Sequence, residues 1–222
     1  MRGMAVIHHT TLKPTKLELL TSWLPSRPWY RGGPAEPELA KAGGFRLDDP
    51  EGEVGIEFIV VTDTSGDRST TYLVPLTYRG APLDGAEHAL VGTMEHGVLG
   101  RRWAYDGCHD PVLLAQLPAL IDGRAQAQDQ NLTDVPDRDV VATRTGEGPL
   151  PADFTTTDDQ EGTRLTAPHG PTLRLHRVLE PTPDGPFPSP QGSTGHLTGT
   201  WQSPDGSRAR GLFAVLYPDL PA

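Results

Sequence analysis

The sequence predicts an α+β fold: a curved antiparallel sheet packed on one or two helices, with a β-hairpin element at the C-terminus. Three observations carry this expectation. Val54 to Thr62 and Thr70 to Tyr78 read as two strands around the turn chemistry of Asp63-Thr64-Ser65-Gly66-Asp67. Apolar residues recur at helical spacing in two short stretches, Leu17, Leu20 and Leu24, then Val112, Leu113, Leu117, Leu120 and Ile121. The 222 residues include 25 glycines and 23 prolines, a density that favours turns over long helices.

Taken in order, Ala5 to Thr11 is rich in β-branched residues and histidine and reads as a first strand. Pro14 suits the start of a helix, where the N–H it lacks would have no partner anyway. That helix ends near Leu24, because Pro25 disfavours helical geometry at the residue before it. In the hairpin that follows, Pro75 removes one ladder donor, which places its strand at an edge or on a bulge. Ala86 to Met94 and Val98 to Tyr105 read as two more strands, turning at Glu95-His96-Gly97. Asp110-Pro111 is an N-cap and a helix-opening proline, with a kink expected at Pro118 and a stop at Gly123.

From Ala125 onward the pattern dissolves into Asp, Thr, Gln, Gly and Pro, with one strand expected at Asp139 to Thr143. Thr172 to Leu179 alternates again, and Glu180 to Ser193 is proline-rich. Gly195 to Gln202 and Ser207 to Tyr217 then form a second hairpin across Ser203-Pro204-Asp205-Gly206, where Pro presets φ and Gly permits φ > 0. These readings divide the chain into an α+β domain at 1–124, a linker or irregular loop at 125–163, and a small β element at 164–222 that packs on the first domain.

Composition excludes some partners. The formal net charge is −10, with no cluster of Lys and Arg to reverse it locally. Such a surface repels phosphate backbones and anionic lipid, so neither nucleic acid nor membrane is expected. Met1 to Thr11 has no signal-peptide core, and no apolar run approaches a membrane span, so a cytoplasmic location is expected. The single cysteine, Cys108, excludes an intrachain disulfide and a cysteine zinc cage, and reads as a small buried thiol.

Two motifs carry a family resemblance. Leu24-Pro25-Ser26-Arg27-Pro28-Trp29-Tyr30-Arg31-Gly32 resembles the Leu-Pro-x-x-x-Trp-Tyr-x-Gly signature near the start of actinobacterial maltokinases and related sugar kinases. Tyr105-Asp106-Gly107-Cys108-His109-Asp110-Pro111 is similar to their Tyr-Asp-x-x-x-Asp-Pro segment, and Leu90-Val91-Gly92-Thr93 to their apolar-Gly-Thr strand. With the two-strand pattern at Val54 to Thr62 and Thr70 to Tyr78, the resemblance covers roughly Leu12 to Arg124. In those kinases this region is an N-terminal cap, a curved sheet packed on a helix. The double histidine His8-His9 and the Gly- and Pro-rich loops depart from the family pattern and suggest a stand-alone relative.

The chemistry of the kinase lobes is not found in these residues. No His-x-Asp is followed by an Asn at catalytic-loop spacing, His109-Asp110-Pro111 being the nearest imitation, and no glycine-rich phosphate loop occurs. Relatives labelled α-glucan branching proteins would need a barrel of about 250 residues, for which there is no room. Asp48-Asp49 and Asp158-Asp159 read as solvated loop acids, and the eight histidines show no ligand spacing. No catalytic residue, cofactor or metal is therefore assigned.

The candidate binding residues are Trp29 and Tyr30, flanked by Arg27 and Arg31, which could bond hydroxyls or carboxylates. Aromatics equally build cores, and Trp23 and Trp201 read that way. The resemblance implies a non-catalytic accessory protein that binds or regulates a protein partner of glycogen, maltose or trehalose metabolism. The alternatives are an α-glucan or maltose-binding module that stacks sugar on Trp29 and Tyr30, and a maltokinase-like sugar phosphorylation that the missing motifs disfavour.

Overall fold

Ile59 and Val61 face one side of strand β3 (Gly55–Asp63), Phe58 and Val60 face the other, and all four are buried. A strand that is apolar on both faces needs protein on both, and the architecture supplies it. The computed structural model describes residues 12–183 and 187–218; the strand expected at Ala5 to Thr11 lies outside them.

In chain order the elements are β1 (Leu12–Lys13), α1 (Lys16–Trp23), β2 (Leu39–Leu47), β3, β4 (Thr70–Arg79), β5 (Leu90–His96), β6 (Gly100–Asp106) and α2 (Pro111–Ile121). There follow β7 (Gln128–Asp129), β8 (Val141–Arg144), β9 (Thr155–Asp159), β10 (Gly162–Thr166), β11 (Thr172–Leu175), β12 (Val178–Leu179), β13 (Gly195–Gln202) and β14 (Arg208–Tyr217). They form two antiparallel sheets. The first runs β1-β5-β6-β4-β3-β2-β7, with β12 also paired to β4, and the second runs β8-β13-β14-β11-β10-β9. The molecule is mostly sheet, and α1 and α2 have only 8 and 11 residues. The helices are thus smaller partners than an α+β description implies.

One face of the first sheet carries Ile59, Val61, Tyr72, Val74 and Leu76 and packs on Leu20, Trp23, Leu24 and Trp29. The other face carries Phe45, Phe58, Val60 and Leu73 and packs on α2 and on the inner face of the second sheet. Rings cross that boundary: Phe45 stacks on Phe58 at 4.4 Å, and Phe213 lies 6.2 Å from both Phe45 and Trp201.

Several local expectations are corrected. The first helix begins at Lys16 and not Pro14, because Thr15 and Glu18 form a reciprocal capping box that makes Thr15, the residue after the proline, the N-cap. β4 is an interior strand, despite Pro75. Its outer edge is paired by β12 at Thr71 and Tyr72 and by β6 from Leu76 to Arg79. The N–H of Leu73 bonds Arg177 on that side, so by the two-residue period the missing donor of Pro75 falls in the opening between β12 and β6. α2 passes through Pro118 and continues to Ile121. Residues 125–163 contain β7, β8 and β9, and Thr172 to Leu179 divides into β11 and β12, where the chain crosses between sheets at His176-Arg177. The second hairpin forms as expected, closed by the Gly206 N–H on the Ser203 carbonyl, and lies at the centre of the second sheet.

Candidate functional site

The Trp-Tyr segment begins where α1 stops. A short 3-10 turn, Leu24–Ser26, carries Pro25 and leads the chain out in extended geometry at Arg27. Trp29 then turns inward and is 0% exposed. Its ring meets Trp23 edge-on at 5.8 Å, Tyr72 at 6.1 Å and the Arg177 guanidinium at 4.9 Å. No face of this indole is open to a sugar; it pins the segment to β4.

Tyr30 is half-buried. It stacks on Tyr72 at 5.6 Å, and its hydroxyl donates to Asp63 Oδ2 at 2.9 Å. Burial, and next the Asp63 carboxylate, push the Tyr30 hydroxyl up to about 12. The Arg31 N–H donates to the Tyr72 hydroxyl at 3.0 Å, which leaves its side chain outside. That guanidinium is half exposed and pairs with the exposed Glu180, at 4.0 Å, across the surface. Arg27 lies over the Trp23 ring at 4.7 Å. Gly32 lets the Tyr30 side chain lie against the backbone, because a Cβ there would sit 1.8 Å from the Tyr30 hydroxyl. The four sequence candidates are therefore brought together, with Arg27, Tyr30 and Arg31 at the surface and Trp29 beneath them.

The second motif is a set of clamps. The Tyr105 hydroxyl accepts from the Leu83 N–H at 2.9 Å. Asp110 caps α2 through the Val112 N–H and takes a two-pronged bond from Arg79, 2.7 Å on each oxygen. Both oxygens of Asp106 accept from Arg177 Nη2, at 2.7 Å each, and Arg177 Nε donates to Thr163 at 2.6 Å. Arg177 is completely buried. Burial alone would lower its pKa, but Asp106 holds it above the ordinary value.

Chain folding also assembles groups that sequence spacing leaves apart. His88 Nε2 and His109 Nδ1 are 3.1 Å apart, and His109 Nε2 is 4.0 Å from Asp158. Asp158 is mostly buried and accepts from the Thr163 hydroxyl at 2.5 Å. Burial raises its pKa, but His109 and Arg177 together hold it below the ordinary carboxylate value. Asp49 likewise is buried, accepting from the N–H groups of Glu51, Glu53 and Val54. Neither is a solvated loop acid: a short acidic side chain in a turn satisfies nearby backbone donors or a buried cation. One nitrogen of His109 and an oxygen each of Asp106 and Asp158 lie within 4.8 Å of one another, but Arg177 already engages Asp106. Burial pushes the Cys108 thiol well above its ordinary value, so it is protonated and enclosed at neutral pH.

Among the described residues no helix is long and apolar enough to cross a membrane. No curated protein matches the chain. Residues 23–110, from the tryptophan that ends α1 to the aspartate that caps α2, match the maltokinase N-terminal cap domain. Over that segment the chain is similar to the cap domain of maltokinases.

Proposed function

We propose that this protein is a non-catalytic accessory factor that docks on a protein partner of glycogen, maltose or trehalose metabolism, a maltokinase-type sugar kinase first among them. The match of residues 23–110 to the cap of such kinases carries the reading. The docking face is the one built from Arg27, Tyr30 and Arg31. It is rigid, because Trp29 anchors it from below and Asp63 and Tyr72 fix the tyrosine. It also offers the Arg31 guanidinium, half exposed and loosely paired with the exposed Glu180 at 4.0 Å. Arginine and tyrosine on a rigid base are the residue types that anchor protein interfaces.

Affinity purification of tagged protein from its own host tests this reading. A maltokinase-type kinase, or an enzyme of α-glucan or trehalose metabolism, should be recovered with the wild type and lost with Arg27→Ala/Arg31→Ala. Trp29→Ala is unsuitable as the control, since removing a core ring unfolds the face it supports. Equal recovery with the double variant, or no enrichment of such an enzyme, rejects the reading.

A further inference from the structure

A second surface lies across the seam of the two sheets and largely beyond the matched segment. β2 is bulged between Lys41 and Gly43, and its glycine pair approaches β13 closely. A Cβ on Gly43 would meet the Thr200 carbonyl oxygen at 3.4 Å, and one on Gly44, where φ is +135°, would lie 2.2 Å from the Phe58 oxygen. Bare backbone therefore floors a cleft of about 370 Å³ between β2, the segment 129–139 and the β13–β14 turn. Bulges and strand glycines of this kind re-aim side chains at binding sites, and the volume is within the range of small-molecule pockets.

We propose that this cleft binds a neutral, hydroxyl-rich ligand of the oligosaccharide class, held by Gln130, Asp137, Gln202 and Ser207. Its lining is a set of acceptors and donors for hydroxyl groups. Gln130 Oε1 is buried there and takes no hydrogen bond among the described residues. A buried amide oxygen left without a donor is unfavourable, and a ligand hydroxyl would supply the missing donor.

The charge pattern selects the class. Asp129, Asp137 and Asp139 together repel phosphates and other anions. They are poorly placed to hold a cation, because much of their charge is already spent. Asp139 is paired with Arg208, and one oxygen of Asp129 accepts from the N–H groups of Asn131 and Leu132. Asp137 is partly buried, and one of its oxygens already accepts from the Asp139 N–H at 2.9 Å, which leaves the other to accept from a ligand hydroxyl. The cleft stands apart from the Arg27–Arg31 face, so the proposal holds whether or not that face has a partner.

Amide NMR of the full chain, titrated with maltotriose, cellotriose, magnesium and spermidine in separate arms, tests it. At least one trisaccharide should shift amides of Gln130, Thr200–Gln202 and Ser207. Gln130→Ala and Asp137→Asn, each checked for an unchanged melting curve, should weaken that binding at least about tenfold. The proposal fails if neither trisaccharide shifts these amides. It fails equally if magnesium or spermidine alone shifts them, or if both variants bind as the wild type does.

Discussion

Arg177 is a fully buried cation that ties two buried polar groups, Asp106 and Thr163, together. It has no solvent, so its charge is tolerable only because both Asp106 oxygens and the Thr163 hydroxyl face it, and the Trp29 ring lies beneath. Removing one partner of such a pair leaves the other charge buried and alone. Arg177→Met should therefore cost about 3–5 kcal/mol in urea unfolding, and Arg177→Met/Asp106→Leu should recover part of that loss. Glu57 is a second buried charge. Burial raises its pKa, but Lys16 at 2.5 Å, Lys41 at 3.8 Å and the Tyr78 hydroxyl at 2.7 Å pull it below its ordinary value of 4.5. A carboxylate lowered on folding contributes stability that is complete above its unfolded pKa and disappears as pH falls through the folded one. Melting temperature should therefore drop on acidification below about pH 4.5. Glu57→Gln should melt lower at neutral pH and show a flatter acid limb.

Two elements test how local sequence decides structure. Thr15→Ala removes the side-chain acceptor for the Glu18 N–H and should cost about 1 kcal/mol, read as a lower urea midpoint. Gly44→Ala forces a Cβ onto the Phe58 carbonyl and should cost about 1–3 kcal/mol or more, while Gly206→Ala, whose Cβ meets open space, pays only for its positive φ. The same elements show what was legible beforehand. Hairpins β3–β4 and β13–β14 could be read because their turns announce themselves and their strands are apolar. β2 could not, since Lys41-Ala42-Gly43-Gly44 has neither alternation nor β-branched residues, and its pairing to β3 is what makes it a strand. The Trp29-Tyr30 segment could be found, but not that Trp29 lies at 0% exposure, because burial depends on Tyr72 and Arg177, far away in sequence. The His88–His109 contact and the Asp106–Arg177 clamp left no trace in spacing, as each joins residues that only the folded topology brings together.

At the scale of the molecule, the matched segment and the residues after it share one core. Phe45, Phe58 and Leu73 belong to the same buried cluster as Leu165, Leu173, Phe213 and Trp201. β12 hydrogen-bonds directly to β4, so a strand from beyond residue 124 completes the first sheet. Arg177, on the crossover to that strand, satisfies an aspartate that the matched segment buries at its C-terminal end. Cutting the chain after Arg124 would expose one apolar face of β2 and β3, open the outer edge of β4 at Tyr72, and leave Asp106 buried without its cation. Each change is unfavourable, and together they remove more than a small domain's margin of about 5–15 kcal/mol. Residues 1–124 expressed alone should therefore show no cooperative thermal transition and should bind a hydrophobic dye, while the full chain melts sharply. A sharp transition in the fragment would instead mean that the cap-like part folds by itself. In that case the second sheet would be an attachment to the cap and not half of its core.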